Sequence, residues 1–288
     1  MGHWKKFTGI LLIFVLLAGL LLRGNFCIQK DTVSLSLPRL PERFDGFRIA
    51  EIADLHGREF GPGNSRLLKA TAEAAPDLIA IDGDLFDEKH SLSFLFTLLQ
   101  GLLKIAPVFY VTGNHEWQLG RKLPRILSVM EKLGVHVLRN EYEILTRGKD
   151  RLAVAGVDDP CGPWDQKSPQ ALAEEIRRAE GENICILMLA HRNDQLAMWA
   201  ALDMDLVLAG HAHGGILRLP VLGGVLGNDR QLFPDFDAGL YTEKRTFLYV
   251  SRGLGPDRFR LFNRPHLPIL VLHSGNRKHF VNYSPKRL

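Results

Sequence analysis

Asp77-Leu78-Ile79-Ala80-Ile81-Asp82-Gly83-Asp84 is the stretch that decides the fold. Four apolar residues in a row, without alternation, read as a strand buried on both faces. The glycine after them permits a sharp turn, so Asp84 can be aimed inward across the strand end. The same arrangement recurs on either side. Residues 47–53, apolar apart from Arg48 and Glu51, lead into Asp54-Leu55-His56, and residues 107–111 lead into Gly113-Asn114-His115-Glu116. Helical patterns over 64–75, ended by Pro76, and over 92–105 separate these strands. Alternation of short buried strands with helices predicts an α/β fold whose sheet is covered on both faces.

The second half changes character. A helix over 123–133 is followed by three expected strands, 135–138, 141–146 and 151–157, with little helix between them. A helix over 169–180 precedes two more buried strands. Residues 184–190 end at His191, and 205–209 end at Gly210-His211-Ala212-His213. Strands over 246–251 and 267–273 close the chain. No internal repeat or low-complexity stretch divides it, so the expectation is one catalytic domain over 47–275 built on two sheets. A linker over 31–46 would precede it and a basic tail over 276–288 would follow.

Every polar block falls where a strand gives way to a loop, the edge of an open α/β sheet at which ligands sit. Asp54, His56, Asp84, Asn114, His191, His211 and His213 together supply oxygen and imidazole ligands for two divalent cations sharing one carboxylate. Mixed N and O donors favour Mn²⁺, Fe or Zn²⁺ over soft Cu(I). Such a pair lowers the pKa of a shared water and neutralises phosphoryl oxygens, which points to phosphoester chemistry. Asp84, with one oxygen for each cation, is the expected bridge. His115 is left over from ligation and suits protonation of a leaving oxygen. Asp87 is expected to hydrogen-bond a ligand from behind.

Charge argues against a polyanion partner. Four of the 36 basic residues and none of the 32 acidic ones lie in residues 1–30, so the remainder is formally neutral. Nucleic-acid binding through bulk charge is therefore excluded. Three cysteines, Cys27, Cys161 and Cys185, give no disulfide framework. Residues 7–22 are apolar apart from Thr8 and two glycines, with Lys5 and Lys6 before them and Arg23 after. This predicts a retained signal anchor over 1–30, a single-pass helix in a membrane. The flanking charges favour a catalytic domain on the extracytoplasmic side.

In this order, Asp54-x-His56, Gly83-Asp84, Gly113-Asn114-His115-Glu116, His191 and Gly210-His211-x-His213 resemble the calcineurin-like metallophosphoesterases. The resemblance implies a four-layer α/β/β/α sandwich of two mixed sheets. It also implies that Asp54, His56 and His213 hold one metal, that Asn114, His191 and His211 hold the other, that Asp84 bridges, and that His115 is catalytic. Residues 37–47, Gly214-Gly215 and Ser251-Arg252-Gly253-Leu254-Gly255 resemble a membrane-anchored bacterial branch. That branch includes phosphodiesterases and a UDP-2,3-diacylglucosamine diphosphatase of lipid A synthesis. It implies a phosphodiester or pyrophosphate substrate, lipid-linked, with a small soluble or envelope phosphoester as the alternative and a non-catalytic scaffold as a remote one. A UDP-linked precursor is cytoplasmic, which conflicts with the orientation that the flanking charges favour. Ala212, Arg192 and His266 depart from the family pattern, where Thr, Pro and Glu are frequent, and none of these changes removes a ligand. Arg252 and Arg258, among four arginines near the end of the chain, are expected to meet substrate phosphate.

Overall fold

The computed structural model describes residues 24–87, 92–219, 222–227, 230–255, 260 and 262–275, together with 7–9, 11–12, 14–15 and 19. The chain begins its sheets with β1 (Gln29–Leu37), β2 (Phe47–Ile52), β3 (Leu78–Asp82), β4 (Val108–Val111) and β5 (His136–Val137). It continues through β6 (Glu141–Arg147), β7 (Asp150–Gly156), β8 (Cys185–Leu189) and β9 (Leu206–Ala209). A small hairpin, β10 (Leu217–Leu219) and β11 (Gly223–Leu226), precedes β12 (Gly239–Glu243), β13 (Thr246–Val250) and β14 (His266–Ser274).

These strands form two six-stranded sheets, ordered β1-β14-β2-β3-β4-β5 and β12-β13-β9-β8-β7-β6. Both are mixed. In the first, only the β14–β2 pair is antiparallel. In the second, β7 to β13 run parallel and the edge strands β6 and β12 run antiparallel to their neighbours. All residues of β3, β4, β8 and β9 are buried, which explains their unbroken apolar runs.

The core lies in three layers. Leu35, Ile49, Phe109, Val154, Leu187 and Leu208 meet between the two sheets. The helices Leu92–Leu103 and Leu123–Leu133 cover the outer face of the first sheet through Leu95, Leu99, Ile126 and Met130. The helices Pro169–Glu180 and Leu196–Ala201 cover the second through Leu172, Ile176 and Trp199. Local signals set these helices. Ser168 accepts the N–H of Ala171 and Pro169 sits at the first helical position, while Gly134, at φ 101°, ends the helix before it.

Residues 31–46 are not a linker. Thr32-Val33-Ser34-Leu35-Ser36-Leu37 alternates with period two, and β1 pairs in parallel with β14 along its whole length. Val33, Leu35, Leu37, Leu40 and Phe44 are buried between the sheets. Leu217–Leu219 and Gly223–Leu226 pair antiparallel as the β10–β11 hairpin. The expected anchor falls on residues 7–22, half of which lie outside the described residues, as does the tail 276–288. Among the described residues no helix is long and apolar enough to cross a membrane.

Candidate metal centre

Five strand ends from two sheets meet at one edge. β2 leads to Asp54 and His56, β3 to Asp84, β4 to Asn114 and His115, β8 to His191, and β9 to His211 and His213. Backbone hydrogen bonds carry the pairing past the strands: Asp54 N donates to Gly83 O (3.1 Å), His56 N to Asp84 O (2.9 Å) and Gly210 N to His191 O (3.1 Å). The loops therefore leave from a rigid frame.

That frame imposes an unusual backbone. Asp54, His56, Asp84, His211 and His213 all have φ between 47° and 65°. Left-handed conformation costs a non-glycine residue roughly 1–2 kcal/mol. Five of seven candidate ligands accept it, which concentrates strain where side chains must converge. Gly113 has a different task. A Cβ there would lie 2.3 Å from Asp84 Oδ1, so only glycine lets that carboxylate pass.

Two clusters result. His56 Nε2 lies 3.2 Å from His213 Nε2, and His213 Nε2 lies 3.6 Å from Asp54 Oδ1. His191 Nε2 lies 3.2 Å from His211 Nδ1, 3.2 Å from Asn114 Oδ1 and 3.3 Å from Asp84 Oδ2. Asp84 Oδ2 is also 3.8 Å from His56 Nε2, so the one oxygen faces both clusters. The sequence reading gave each cation one oxygen of this carboxylate. In the structure Oδ1 also accepts the N–H of His115 (2.8 Å). Asp54, His56 and His213 form one group able to hold a metal ion, and Asp84, His191 and His211 form another. Electron-rich atoms pointing at one another in a buried site require a proton or a cation between them. This donor set fits two divalent ions.

His191 donates Nδ1–H to the carbonyl of Asp82 (2.9 Å), which turns Nε2 toward the cluster. Burial disfavours its charged form, but Asp84, Asp54 and the Asp82 carbonyl together outweigh burial and raise the imidazole to about 10. Burial, then the charges of His191 and Arg192, lowers His211 to about 4. Burial raises Asp54 well above the ordinary carboxylate range. Asp84 stays below that range, because His191, His56 and His115 together outweigh its burial.

His115 sits at the start of the short helix Asn114–Trp117, with Nε2 3.9 Å from Asp84 Oδ2. It is 28% exposed and packs edge-on against His56. Asp87 is half-buried in the loop beyond Asp84. A carboxylate that braces the site from behind is Glu116. It accepts the N–H groups of Gly113 (2.8 Å), Asp84 (3.0 Å), Leu85 (2.8 Å) and Phe86 (3.3 Å). The Gly-x-x-Glu spacing of a helix start was the available signal. Arg192 was also missed as a site residue. Its Nε and Nη2 grip Asp159 at 2.7 and 3.1 Å, and Nη1 reaches His211 Nε2 at 2.8 Å.

Arg252 packs under Gly214, with its guanidinium 3.7 Å from Asp31. Arg258 lies outside the described residues. Buried Arg260 donates to the carbonyls of Arg252, Gly253 and Gly255, fixing the loop that covers Asp54. A groove of about 390 Å³ runs from His211 past Ala212 to Gly227, Pro234 and Phe236. A cavity of about 240 Å³ opens on the other side, beside His191 and Arg192.

The calcineurin-like phosphoesterase family matches residues 47–215. The chain is 30% identical to Phosphodiesterase YaeI of Escherichia coli over 78% of its own length and 82% of that protein. It is 26% identical to YkuE of Bacillus subtilis, an uncharacterized metallophosphoesterase, covering 86% of this chain and 85% of that one. Among solved structures, TT1561 of Thermus thermophilus aligns with a TM-score of 0.47 at 16% identity, over 73% of this chain and 89% of that one. The chain belongs to the calcineurin-like phosphoesterases, metal-dependent phosphoester hydrolases that use two divalent metals.

Proposed function

We propose that this protein hydrolyses a phosphodiester or pyrophosphate bond, with Asp54, His56 and His213 holding one metal, Asn114, His191 and His211 the other, and Asp84 between them. The observation that carries the reading is Asp84 Oδ2, 3.8 Å from His56 on one side and 3.3 Å from His191 on the other. Two divalent cations, when bound there, supply Lewis acidity to the phosphoryl oxygens and acidify a shared water.

The chain's own groups supply the rest. Asp82 fixes the tautomer of His191 through its carbonyl. Glu116 holds the loops of Asp84 and Asn114 together through four N–H bonds. His115 Nε2, partly open to solvent, donates a proton to the leaving oxygen as the phosphorus–oxygen bond breaks. Water supplies the oxygen of the new bond. Arg252, whose Cγ lies under the Gly214 turn and whose guanidinium is 3.7 Å from Asp31, is proposed as the cation that meets a substrate phosphate.

The substrate is a lipid-linked diester or pyrophosphate of the UDP-2,3-diacylglucosamine type, by resemblance to the membrane-anchored branch alone. Residues 7–22 anchor the chain in the membrane, and the domain starts with β1 rather than at residue 47. The groove beside His211 leaves room for a substituent beyond the phosphate. A small soluble diester is the second reading, favoured by the likeness to a relative named phosphodiesterase. A substrate panel on the metal-loaded protein separates the two, comparing nucleotide-sugar lipids, phospholipids and bis(p-nitrophenyl) phosphate. Lipid-linked substrates are expected to give the highest kcat/KM, and equal or better turnover of the simple diester favours the second reading. Metal uptake below two equivalents removes both.

A further inference from the structure

Eleven large apolar side chains are exposed among the described residues, and their distribution is one-sided. Five lie in the N-terminal apolar run. The other six are Phe26, Trp164, Leu222, Leu232, Phe233 and Phe262. Topology puts all six on one edge. Trp164 is in the loop after β7, and Leu222 is at the tip of the hairpin after β9. Leu232 and Phe233 precede β12, which starts where β13 ends. Phe262 links β13 to β14, and Phe26 precedes β1, which enters beside the start of β14. This is the edge that carries the metal cluster. The opposite edge presents none among the described residues.

The N-terminal segment joins the domain at that same edge and is tied there. Asn25 and Arg260 exchange side chain–backbone hydrogen bonds at 2.9 Å in both directions. Arg58, two residues beyond His56, bonds the carbonyl of Asn25 and stacks on Phe26. Arg264 bonds the carbonyls of Cys27 and Ile28. The rim also touches the centre itself, since Asn263, next to Phe262, donates to the carbonyl of His213 at 2.6 Å.

We infer that the metal-bearing edge is a bilayer-docking surface, so that the centre opens toward the lipid headgroups and takes its phosphoester from them. The inference deepens the reading above and rests on it for the chemistry, but not for the docking. Residues 7–22 as a helix are about 24 Å long, against about 30 Å for a hydrocarbon core. There is no apolar length left for a stalk, and the ties at residues 25–28 leave no slack. A chain entering lipid ahead of residue 24 brings Phe26, Leu222, Leu232, Phe233 and Phe262 to the interface with it. Exposed Arg230, beside Leu232 and Phe233, complements anionic headgroups. A second copy of the chain on this face would leave the apolar run in water, so a bilayer is the occupant that satisfies both features.

The test uses the full chain carrying Cys27→Ser and Cys161→Ser, Cys185 being buried. An environment-sensitive NBD probe is attached at Leu232→Cys, at Phe262→Cys as a second position, or at Lys149→Cys. Lys149 is exposed in the β6–β7 turn on the opposite edge. In vesicles of phosphatidylcholine with phosphatidylglycerol, probes at 232 and 262 are expected to shift to the blue and brighten severalfold, while the probe at 149 keeps its aqueous spectrum. An aqueous spectrum at 232 and 262, or the same shift at all three positions, overturns the docking. A blue shift that grows with protein concentration in lipid-free detergent assigns the face to a second copy and also overturns it. Hydrolysis of bis(p-nitrophenyl) phosphate by the same manganese-loaded samples reports the chemistry separately. Turnover with an aqueous rim leaves the phosphoesterase standing without the docking, and a buried rim without turnover does the reverse.

Discussion

Arg192 Nη1 lies 2.8 Å from His211 Nε2, while His211 Nδ1 lies 3.2 Å from His191 in the candidate centre. A neutral imidazole accepts at one nitrogen only. A cation at Nδ1 leaves a proton on Nε2, which can no longer accept from Arg192. The guanidinium therefore competes with the metal, and its charge repels it as well. Arg192→Met is expected to tighten metal binding at this position about tenfold, about 1.4 kcal/mol. Asp159→Asn is made alongside, so that no buried carboxylate is left without its partner. Titration calorimetry on the metal-free protein decides it, and unchanged or weaker binding removes the competition.

Asp84 is the side chain whose Oδ2 lies near a histidine in each cluster, 3.8 Å from His56 and 3.3 Å from His191. Asp84→Ala removes the oxygen that faces His56 and His191, and no neighbour can replace it. Less than one equivalent of metal is expected after reconstitution, with turnover down by at least roughly 10³-fold. Elemental analysis beside a rate measurement checks both, and retention of two equivalents would refute the bridging role.

His115 is proposed to act apart from ligation, although its ring also groups with His56 and Asp84. His115→Gln keeps a hydrogen-bonding side chain of similar reach but cannot deliver a proton. Metal content is expected to hold at two equivalents while hydrolysis slows roughly 10²–10⁴-fold. The loss should grow with the pKa of the leaving alcohol and nearly vanish for p-nitrophenolate. A loss independent of the leaving group would assign His115 to charge stabilisation instead.

What was legible in the sequence was local. The runs that became β2, β3, β4, β8 and β9 are buried on both faces, so composition alone exposes them, and each polar block follows directly. What was missed is held by partners far along the chain. β1 finds its neighbour in β14, more than two hundred residues away, and its alternating apolar residues were short enough to pass for a linker. The Arg192–Asp159 fork joins two loops with no shared motif. The left-handed backbone at Asp54, His56 and Asp84 arises from the convergence of loops, which no single window of sequence records.

Acidity gives a prediction with a definite sign. Asp84, Asp54 and the Asp82 carbonyl together outweigh burial and hold the His191 imidazolium up to about 10, above its ordinary value of 6.5. In the metal-free protein the stabilisation from the raised His191 pKa is present below pH 6.5 and is lost as the pH rises through about 10. A cation at Nε2 must displace that proton. Metal uptake near neutrality is therefore expected to release a proton, and apparent affinity to rise about tenfold per pH unit between about pH 7 and pH 9. Calorimetry in two buffers of different protonation enthalpy measures the proton count. A count of zero would show His191 neutral before the metal arrives.

Glu116 offers a test of the frame rather than the chemistry. Its two oxygens accept four backbone N–H groups, from Gly113 on one loop and from residues 84–86 on the other. Burial and the charge of Asp84 raise its pKa to about 8, while the bond from Gly113 favours the anion. Glu116→Gln keeps one oxygen and puts an NH₂ group against N–H donors, so at least one buried donor loses its partner. That costs about 1–3 kcal/mol. Because Asp84 N is one of those donors, the loss should also appear in metal affinity, whereas a purely global effect would lower the melting temperature alone. A melting temperature measured with and without metal separates the two. The stabilisation that metal confers on the parent is expected to shrink in Glu116→Gln, and an undiminished metal-induced shift would show that the loops reach their positions without Glu116.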